Sequence, residues 1–69
     1  MRKRLKHLRV VENNFSQAEM AAKIGVSRGI YAQVESGTRE ASIKFLTKLQ
    51  KAFAIPDSEI WNYLKDYND

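Results

Sequence analysis

The stretch from Gln17 to Val34 constrains the fold of this 69-residue chain more than any other part of it. It predicts two short helices joined by a tight turn. Ser16 can accept a hydrogen bond from the Glu19 amide while the Glu19 carboxylate reaches back to the Ser16 amide, so a capping box begins the first helix. Gly25 ends that helix, because glycine adopts a positive φ at little cost. Ser27 is expected to cap the second helix.

Two short helices joined by a glycine turn must cross steeply to pack, and this crossing restricts particular side chains. Ala21 has to be small because it faces the neighbouring helix. The positions that form the shared core have to be apolar, and they are Met20, Ile24, Val26, Tyr31 and Val34. Polar residues occupy the positions expected to contact water or phosphate: Gln17, Glu19, Lys23, Ser27, Arg28 and Gln33.

The rest of the chain also has helical rather than strand patterns. No run of alternating β-branched residues lies between turn residues, so we expect an all-α fold, a compact five-helix bundle in a single domain over residues 1–69. The first helix is predicted over Lys3 to Glu12, ending at Asn13-Asn14. Its core-facing positions are Leu5, Leu8 and Val11 or Glu12.

Two further helices complete the prediction. The fourth is expected over Ser42 to Ala54, with an inward face made of Ile43, Leu46, Leu49 and Phe53. The fifth is expected to begin near Pro56 or Asp57, and its large apolar and aromatic residues are Ile60, Trp61, Leu64 and Tyr67. Short loops containing proline or glycine separate these helices.

Composition excludes several classes of function. The chain has no cysteine and only one histidine, His7, so neither a disulfide nor a metal site is expected. No carboxylate pair with a shared pocket and no glycine-rich phosphate loop is evident, so we expect no catalytic residues and no cofactor. The longest apolar run, Ala52 to Ile55, is too short to span a membrane. A cytoplasmic protein follows as the expectation.

The net charge of +4 is unevenly distributed along the chain. The first nine residues carry five cations and no acid, whereas acidic residues dominate the last fourteen. A basic end attracts an anionic polymer, although a solubilising surface explains the same pattern. Three of these cations lie at the very start of the chain: Arg2, Lys3 and Arg4. They could contact an adjacent groove or phosphates, or they could form a disordered tip, and we favour the tip. His7 is interpreted as a surface residue.

These motifs resemble the lambda-repressor-like, Cro-type (XRE) helix-turn-helix proteins of prokaryotes and phages. The run SQAEMAAKIGVSR at residues 16–28 is similar to the family's second helix and turn. The end of the family's third helix, the recognition helix, is matched by Tyr31 with Val34-Glu35-Ser36-Gly37. The family's fourth helix is matched by Ser42-Ile43 through Leu46, Leu49 and Ala52-Phe53. Leu8-Arg9 resembles the first-helix pair whose arginine usually contacts the glutamate that here is Glu35. The stretch from Arg9 to Ser16 is one residue longer than the family pattern.

The resemblance implies a DNA-binding site on a helix-turn-helix core at residues 17–36. The third helix is expected to enter the major groove of double-stranded DNA. Base-reading residues would be Arg28 and Gln33, with Gly29 and Ala32 either allowing close approach or acting as plain spacers. Phosphate contacts would come from polar residues at helix starts and in the loop before the fourth helix: Gln17, Ser27, Thr38, Arg39 and Ser42. An exposed polar or capping role is the alternative for each of them.

The expected function is transcriptional regulation, most simply repression by a homodimer that occupies a two-fold operator. Trp61, Tyr63 and Tyr67 are candidates for the dimer contact, and simple core packing of these rings is the alternative. A second function class is an antitoxin-type interaction module that binds a small protein partner and also represses its own operon. An enzyme is the least favoured class.

Overall fold

A computed structural model describes residues 1–65, so Tyr67 lies outside the described residues. Within them the chain forms five α-helices and no strand, which confirms the predicted all-α fold. The helices are α1 (Lys3–His7), α2 (Gln17–Ile24), α3 (Arg28–Ser36), α4 (Ile43–Phe53) and α5 (Asp57–Leu64). No helix in this part of the chain has the length and apolar character needed to cross a membrane.

The first helix changes its winding in the middle. α1 continues directly into a π-helical stretch, Leu8–Glu12. Because a π-helix closes its hydrogen bonds over five residues instead of four, it accommodates one more residue per turn than an α-helix would. The π-helical stretch overlaps the segment from Arg9 to Ser16, which is one residue longer than the family pattern. The segment ends as predicted at Asn13-Asn14, where Asn14 has a φ of 54°.

The two central helices begin and end at the predicted residues. Ser16 Oγ accepts from the Glu19 amide at 3.1 Å, and Glu19 Oε1 accepts from the Ser16 amide at 2.9 Å, which completes the capping box. Gly25, with a φ of 90°, ends α2. Ser27 Oγ then accepts from the amide of Ile30 at 3.2 Å and caps α3. Two short capped helices joined by this turn form the predicted motif.

The core lies between all five helices. α2 packs on α3 and α4, while α5 packs on α1 and α4. Tyr31 of α3 is fully buried, and its ring stacks on that of Phe45 with 6.4 Å between ring centroids. The buried apolar residues are Leu5, Leu8, Met20, Ala21, Ile24, Tyr31, Val34, Phe45, Leu49, Ile55 and Ile60.

Two predicted core positions are wrong. Ile43 is 82% exposed, whereas Phe45, which the pattern did not place inside, is 2% exposed. At 100° per residue Ile43 lies about 160° around α4 from Phe45, so Ile43 faces solvent when Phe45 and Leu49 are buried in the core. The third core-facing position of the first helix, predicted as Val11 or Glu12, is also wrong, because Val11 is 67% exposed and Glu12 is exposed as well. Both lie in the π-helical stretch, whose winding turns them away from the side that carries Leu5 and Leu8.

The amino-terminal arginines do not form the disordered tip that we expected. The Arg2 side chain is 5% exposed and lies against α3 and α5. The Arg4 guanidinium lies over the Tyr63 ring, 4.3 Å from its centroid, and also contacts Glu12. His7 is a surface residue, as predicted, with Nδ1 3.1 Å from a Glu12 carboxylate oxygen. The first residues are ordered because α3 and α5 supply partners that local sequence does not reveal.

Candidate nucleic-acid interface

The helix α3 has an exposed front and a buried back. Arg28, Gly29 and Gln33 are exposed, and Ala32 is half-buried, so the structure places all four predicted base-reading residues on one accessible surface. The back is formed by three buried residues, Tyr31, Val34 and Glu35. The front can therefore contact a ligand while the back holds the helix in the core.

Gln33 and Arg39 are in direct contact. Arg39 Nε donates to Gln33 Oε1 at 2.7 Å, and the Arg39 amide donates to the Gln33 carbonyl at 3.2 Å. Thr38 Oγ1 also donates to that carbonyl, at 3.3 Å. One predicted base-reading residue is thus joined to two predicted phosphate-binding residues. This loop follows α3 closely because Gly37 turns the chain with a φ of 89°.

Two predicted phosphate-binding residues are helix caps. Ser27 caps the start of α3, and Ser42 Oγ accepts from the amide of Phe45 at 3.1 Å at the start of α4. Both serines are exposed. The free amides and partial positive charge at a helix start attract anions. The structure therefore presents two capped helix starts to solvent, although capping alone also explains these serines.

Gln17, the third residue predicted at a helix start, has an internal partner. Its Nε2 donates to Glu35 Oε2 at 3.0 Å, which links the first turn of α2 to the last turn of α3. The side chain is half-buried, so part of it remains accessible. Its amide group holds the two helices of the motif together whether or not it contacts phosphate.

Glu35 is the centre of a buried polar network behind the recognition surface. Arg9 donates to both of its carboxylate oxygens, at 2.8 and 3.2 Å, and Tyr31 Oη donates at 2.9 Å. The pairing of Arg9 with Glu35 that the resemblance implies is present. Burial by itself raises the pKa of Glu35, but hydrogen bonds from Arg9, Gln17 and Tyr31 outweigh it and keep the pKa below its ordinary value. Glu35 is therefore ionised at neutral pH and ties the π-helical stretch, α2 and α3 together.

Arg2 is a residue of this region that sequence reasoning missed. Its guanidinium Nη1 donates to the carbonyls of Val34 and Arg39, and its Nε donates to the Leu64 carbonyl at 3.1 Å. These carbonyls lie at or beyond the carboxyl ends of α3 and α5, where helices leave acceptors without internal partners. No local pattern around Arg2 indicates such contacts, because the acceptors are more than thirty residues away.

Lys48 on α4 is exposed, yet it makes a contact across the fold. Its Nζ donates to the Gly25 carbonyl at 2.9 Å, so α4 is attached to the turn between α2 and α3. A cation at this point also complements the partial negative charge at the carboxyl end of α2. The turn is thereby held from the side of α4.

The aromatic residues of α5 differ in their surroundings. Trp61 is 64% exposed. Tyr63 is half-buried, lies beneath Arg4, and its hydroxyl accepts from Arg4 Nη2 at 2.9 Å. Of the candidates for a dimer contact, Trp61 is thus the exposed one among the described residues, and Tyr63 already has contacts inside the monomer.

Comparison with known proteins agrees with this architecture. A helix-turn-helix family model matches residues 5–60. A protein of Methanocaldococcus jannaschii named as an HTH-type transcriptional regulator is 33% identical over 66 residues, which cover 96% of this chain and 98% of the relative. The control protein C.MunI of a Mycoplasma species is 34% identical over 59 residues, covering 86% of this chain and 80% of the relative. No solved structure shows a significant match.

The fold and the exposed front of α3 define the helix-turn-helix class of DNA-binding domain. Within that class, the chain belongs to the XRE-type helix-turn-helix family of transcription regulators. The members of this family are typically not enzymes.

Proposed function

We propose that this protein is a sequence-specific, double-stranded DNA-binding repressor that acts as a homodimer on a two-fold operator. The observation that carries the proposal is the division of α3, whose back is buried and whose front exposes Arg28, Gly29 and Gln33. The names of the two relatives, a transcriptional regulator and a control protein, support a regulatory role.

The front of α3 carries the proposed base contacts. Arg28 is the first residue of α3, and its planar guanidinium matches guanine O6 and N7 together. The amide of Gln33 matches adenine N6 and N7 in the same way. Gly29 keeps the helix surface low enough for close approach, and Ala32 contacts a thymine methyl group. A correct bidentate contact of this kind contributes about 1–3 kcal/mol of discrimination between bases.

The proposed phosphate contacts lie on both sides of that front. Ser27 and Ser42 mark the exposed starts of α3 and α4, while Thr38 and Arg39 lie in the loop between them. Gln17 at the start of α2 completes the set. Such contacts fix the position of the protein on the duplex and do not read its sequence.

Repression can follow simply from occupancy of the operator by the bound dimer. A homodimer related by a two-fold axis places two copies of α3 in successive major grooves, with half-sites about 10 base pairs apart or a multiple of that spacing. A dimer bound over a promoter excludes the polymerase. Trp61 supplies an exposed apolar surface for the dimer contact on α5.

Selection of bound sequences from a random duplex pool tests this function. We expect the wild-type protein to enrich a two-fold site. R28A and Q33A should each relax the preference at a different base position, while K51A, which removes an exposed charge from α4, should retain the wild-type preference. Failure of the wild type to bind any duplex in dilute salt would refute the function. Unchanged preferences in both variants would refute only the assignment of Arg28 and Gln33.

A further inference from the structure

Arg2 has an unusual position for a charged residue near a chain terminus. Its side chain is 5% exposed, and it donates to three carbonyls, those of Val34, Arg39 and Leu64. Its own amide donates to the Glu35 carbonyl at 2.8 Å. Glu40, a carboxylate that is 99% exposed, lies 3.6 Å from Nη2. The principal partners of Arg2 are therefore backbone carbonyls.

The chemistry of these contacts requires arginine. The guanidinium has five N–H donors in a rigid plane and can bond several acceptors at once, whereas a lysine ammonium is a compact point charge on a flexible stem. A cation here also complements the partial negative charges at the carboxyl ends of α3 and α5. These contacts compensate for the removal of the charge from water.

The contacts of Arg2 lead to the exposed front of α3. Arg2 holds the carbonyl of Arg39 at 3.0 Å, and the side chain of Arg39 donates to Gln33 Oε1 at 2.7 Å. The Arg39 amide also bonds the Gln33 carbonyl. Arg2 thus fixes the backbone from which Arg39 extends, and Arg39 in turn orients the Gln33 amide.

We propose that Arg2 is a positioning residue for DNA recognition, which acts through Arg39 on Gln33 and does not itself contact DNA. This inference rests on the proposed function, because it assumes that Gln33 reads a base and that Arg39 binds phosphate. Direct contact of Arg2 with phosphate is the competing role. The 5% exposure of the side chain and its three carbonyl partners favour positioning.

The substitution R2K separates the two roles because it retains the charge. Lysine binds phosphate well as a point charge, so a phosphate contact would survive R2K. A lysine cannot reach all three carbonyls, so R2K should lower the fraction of protein molecules in the binding-competent arrangement. If that fraction falls to about one tenth, the affinity for DNA falls about tenfold. The salt dependence of binding should stay as in the wild type. The matched control is R4K, the same substitution two residues further along the chain, which should change affinity by no more than about twofold.

Two readouts distinguish positioning from a general loss of stability. The first is the base preference in the selection experiment, where R2K should relax the position that Q33A relaxes and leave the position read by Arg28 unchanged. The second is a double-mutant cycle with R39A, with dissociation constants from fluorescence anisotropy corrected for the folded fraction by circular dichroism. R39A alone should reduce the log–log salt slope by about one unit. R2K should then add little to the loss caused by R39A, because both act in one chain of contacts.

The proposal is overturned if R2K binds like the wild type, or if the losses from R2K and R39A simply multiply. If Q33A relaxes no base position, the assignment of Gln33 as a base reader fails, and the double-mutant cycle alone decides whether Arg2 acts through Arg39. If the wild type binds no duplex, the proposed function fails first, and this inference fails with it.

Discussion

At the level of single residues, Gly29 is the proposed DNA-contacting residue whose side chain the fold itself does not determine. It lies in the first turn of α3, where glycine is a poorer helix former than alanine. A Cβ built at this position would have no atom within 4 Å. Nothing inside the described protein therefore requires glycine at this position, and its φ is not in the left-handed region. The proposed close approach of DNA to α3 would account for glycine here, and a plain spacer role is the alternative.

Substitution of Gly29 with alanine should therefore stabilise the protein and weaken DNA binding. We expect the free energy of unfolding to rise by up to about 1 kcal/mol, because alanine favours the helix. Affinity for the selected duplex should fall, because the added methyl group occupies the space in which the helix approaches the base edges. Urea unfolding and fluorescence anisotropy measure the two effects.

The matched control is A22G, which makes the reverse change at an exposed position of α2 and should lower the free energy of unfolding by about 1 kcal/mol. A G29A variant that binds DNA as tightly as the wild type would show that the α3 backbone does not approach the bases closely.

Residues with local signals were predictable, whereas residues with distant partners were not. The capping pair Ser16 and Glu19 and the turn at Gly25 follow from short-range hydrogen bonding and backbone conformation, and the structure has all three. Ile43 was misplaced because an apolar residue at the first position of a helix fits a helical pattern in more than one rotation. Arg2 was misplaced because charged residues are normally exposed, and its acceptors belong to helices far along the chain.

At the level of elements, the buried network around Glu35 joins the π-helical stretch, α2 and α3 by hydrogen bonds, in addition to their apolar packing. Arg9 belongs to the π-helical stretch, Gln17 to α2, and Tyr31 and Glu35 to α3. Burial raises the pKa of Tyr31 well above its ordinary value, so its hydroxyl stays protonated and donates to Glu35. The carboxylate therefore has to be ionised for all its donors to be satisfied.

This network predicts a loss of stability in acid. The pKa of Glu35 lies lower in the folded protein than its ordinary value of 4.5. The unfolded chain therefore takes up the proton first, and the stability that Glu35 contributes is complete above about pH 4.5 and is lost as the pH falls below it. We expect E35Q to lower the free energy of unfolding at neutral pH by about 2–3 kcal/mol, because Arg9 keeps a neutral partner in place of a charged one.

Thermal unfolding between about pH 6 and about pH 3 measures this effect. The melting temperature of E35Q should fall less steeply with acid than that of the wild type. The control is E12Q. Hydrogen bonding from Arg4 also lowers the pKa of Glu12, but that carboxylate is 40% exposed and well screened by solvent. The melting temperature of E12Q should therefore fall with acid as steeply as that of the wild type. If the melting temperature of E35Q falls with acid as steeply as that of the wild type, Glu35 is not the source of the acid sensitivity.

In the π-helical stretch the end of the helical segment was predictable from the sequence, but its hydrogen-bonding pattern was not. Leu8–Glu12 has the composition of an ordinary helix, and apolar spacing over five residues does not distinguish four-residue from five-residue hydrogen bonding. The extra residue between Arg9 and Ser16 was visible in the sequence. Arg9 lies inside the π-helical stretch and still makes its contact with Glu35.

At the level of the whole molecule, the surface of α5 is available for assembly. α5 packs on α1 and α4, and the buried Ile60 anchors it. On the same helix Trp61 remains 64% exposed. Exposure of a tryptophan ring to water is costly, and tryptophan is enriched at the centres of protein interfaces. The order of the five helices was predictable from the sequence, but which ring of α5 stays exposed depends on how α1 covers Tyr63.

We expect W61A to weaken self-association by about tenfold or more, because a buried interface tryptophan is a typical binding hot spot. Sedimentation equilibrium measures the dimer constant, and binding to a duplex with two half-sites should lose cooperativity in parallel. The stability of the monomer should change little, since most of the ring is exposed.

The matched control is I43A, which removes an even more exposed apolar side chain from α4 and should leave the dimer constant unchanged. A wild-type protein that stays monomeric at high concentration, or a W61A dimer as tight as the wild-type dimer, would contradict the assignment of Trp61.

The two-sided construction of α3 also bears on how such a protein acquires a new target. Because Tyr31, Val34 and Glu35 carry the attachment of the helix to the rest of the domain, Arg28 and Gln33 can be exchanged without disturbing the core. If these two residues read bases as proposed, substitutions on the outer surface would alter which operator is bound while the protein continues to fold. A scaffold of this kind can diverge in specificity one substitution at a time, without passing through unstable intermediates.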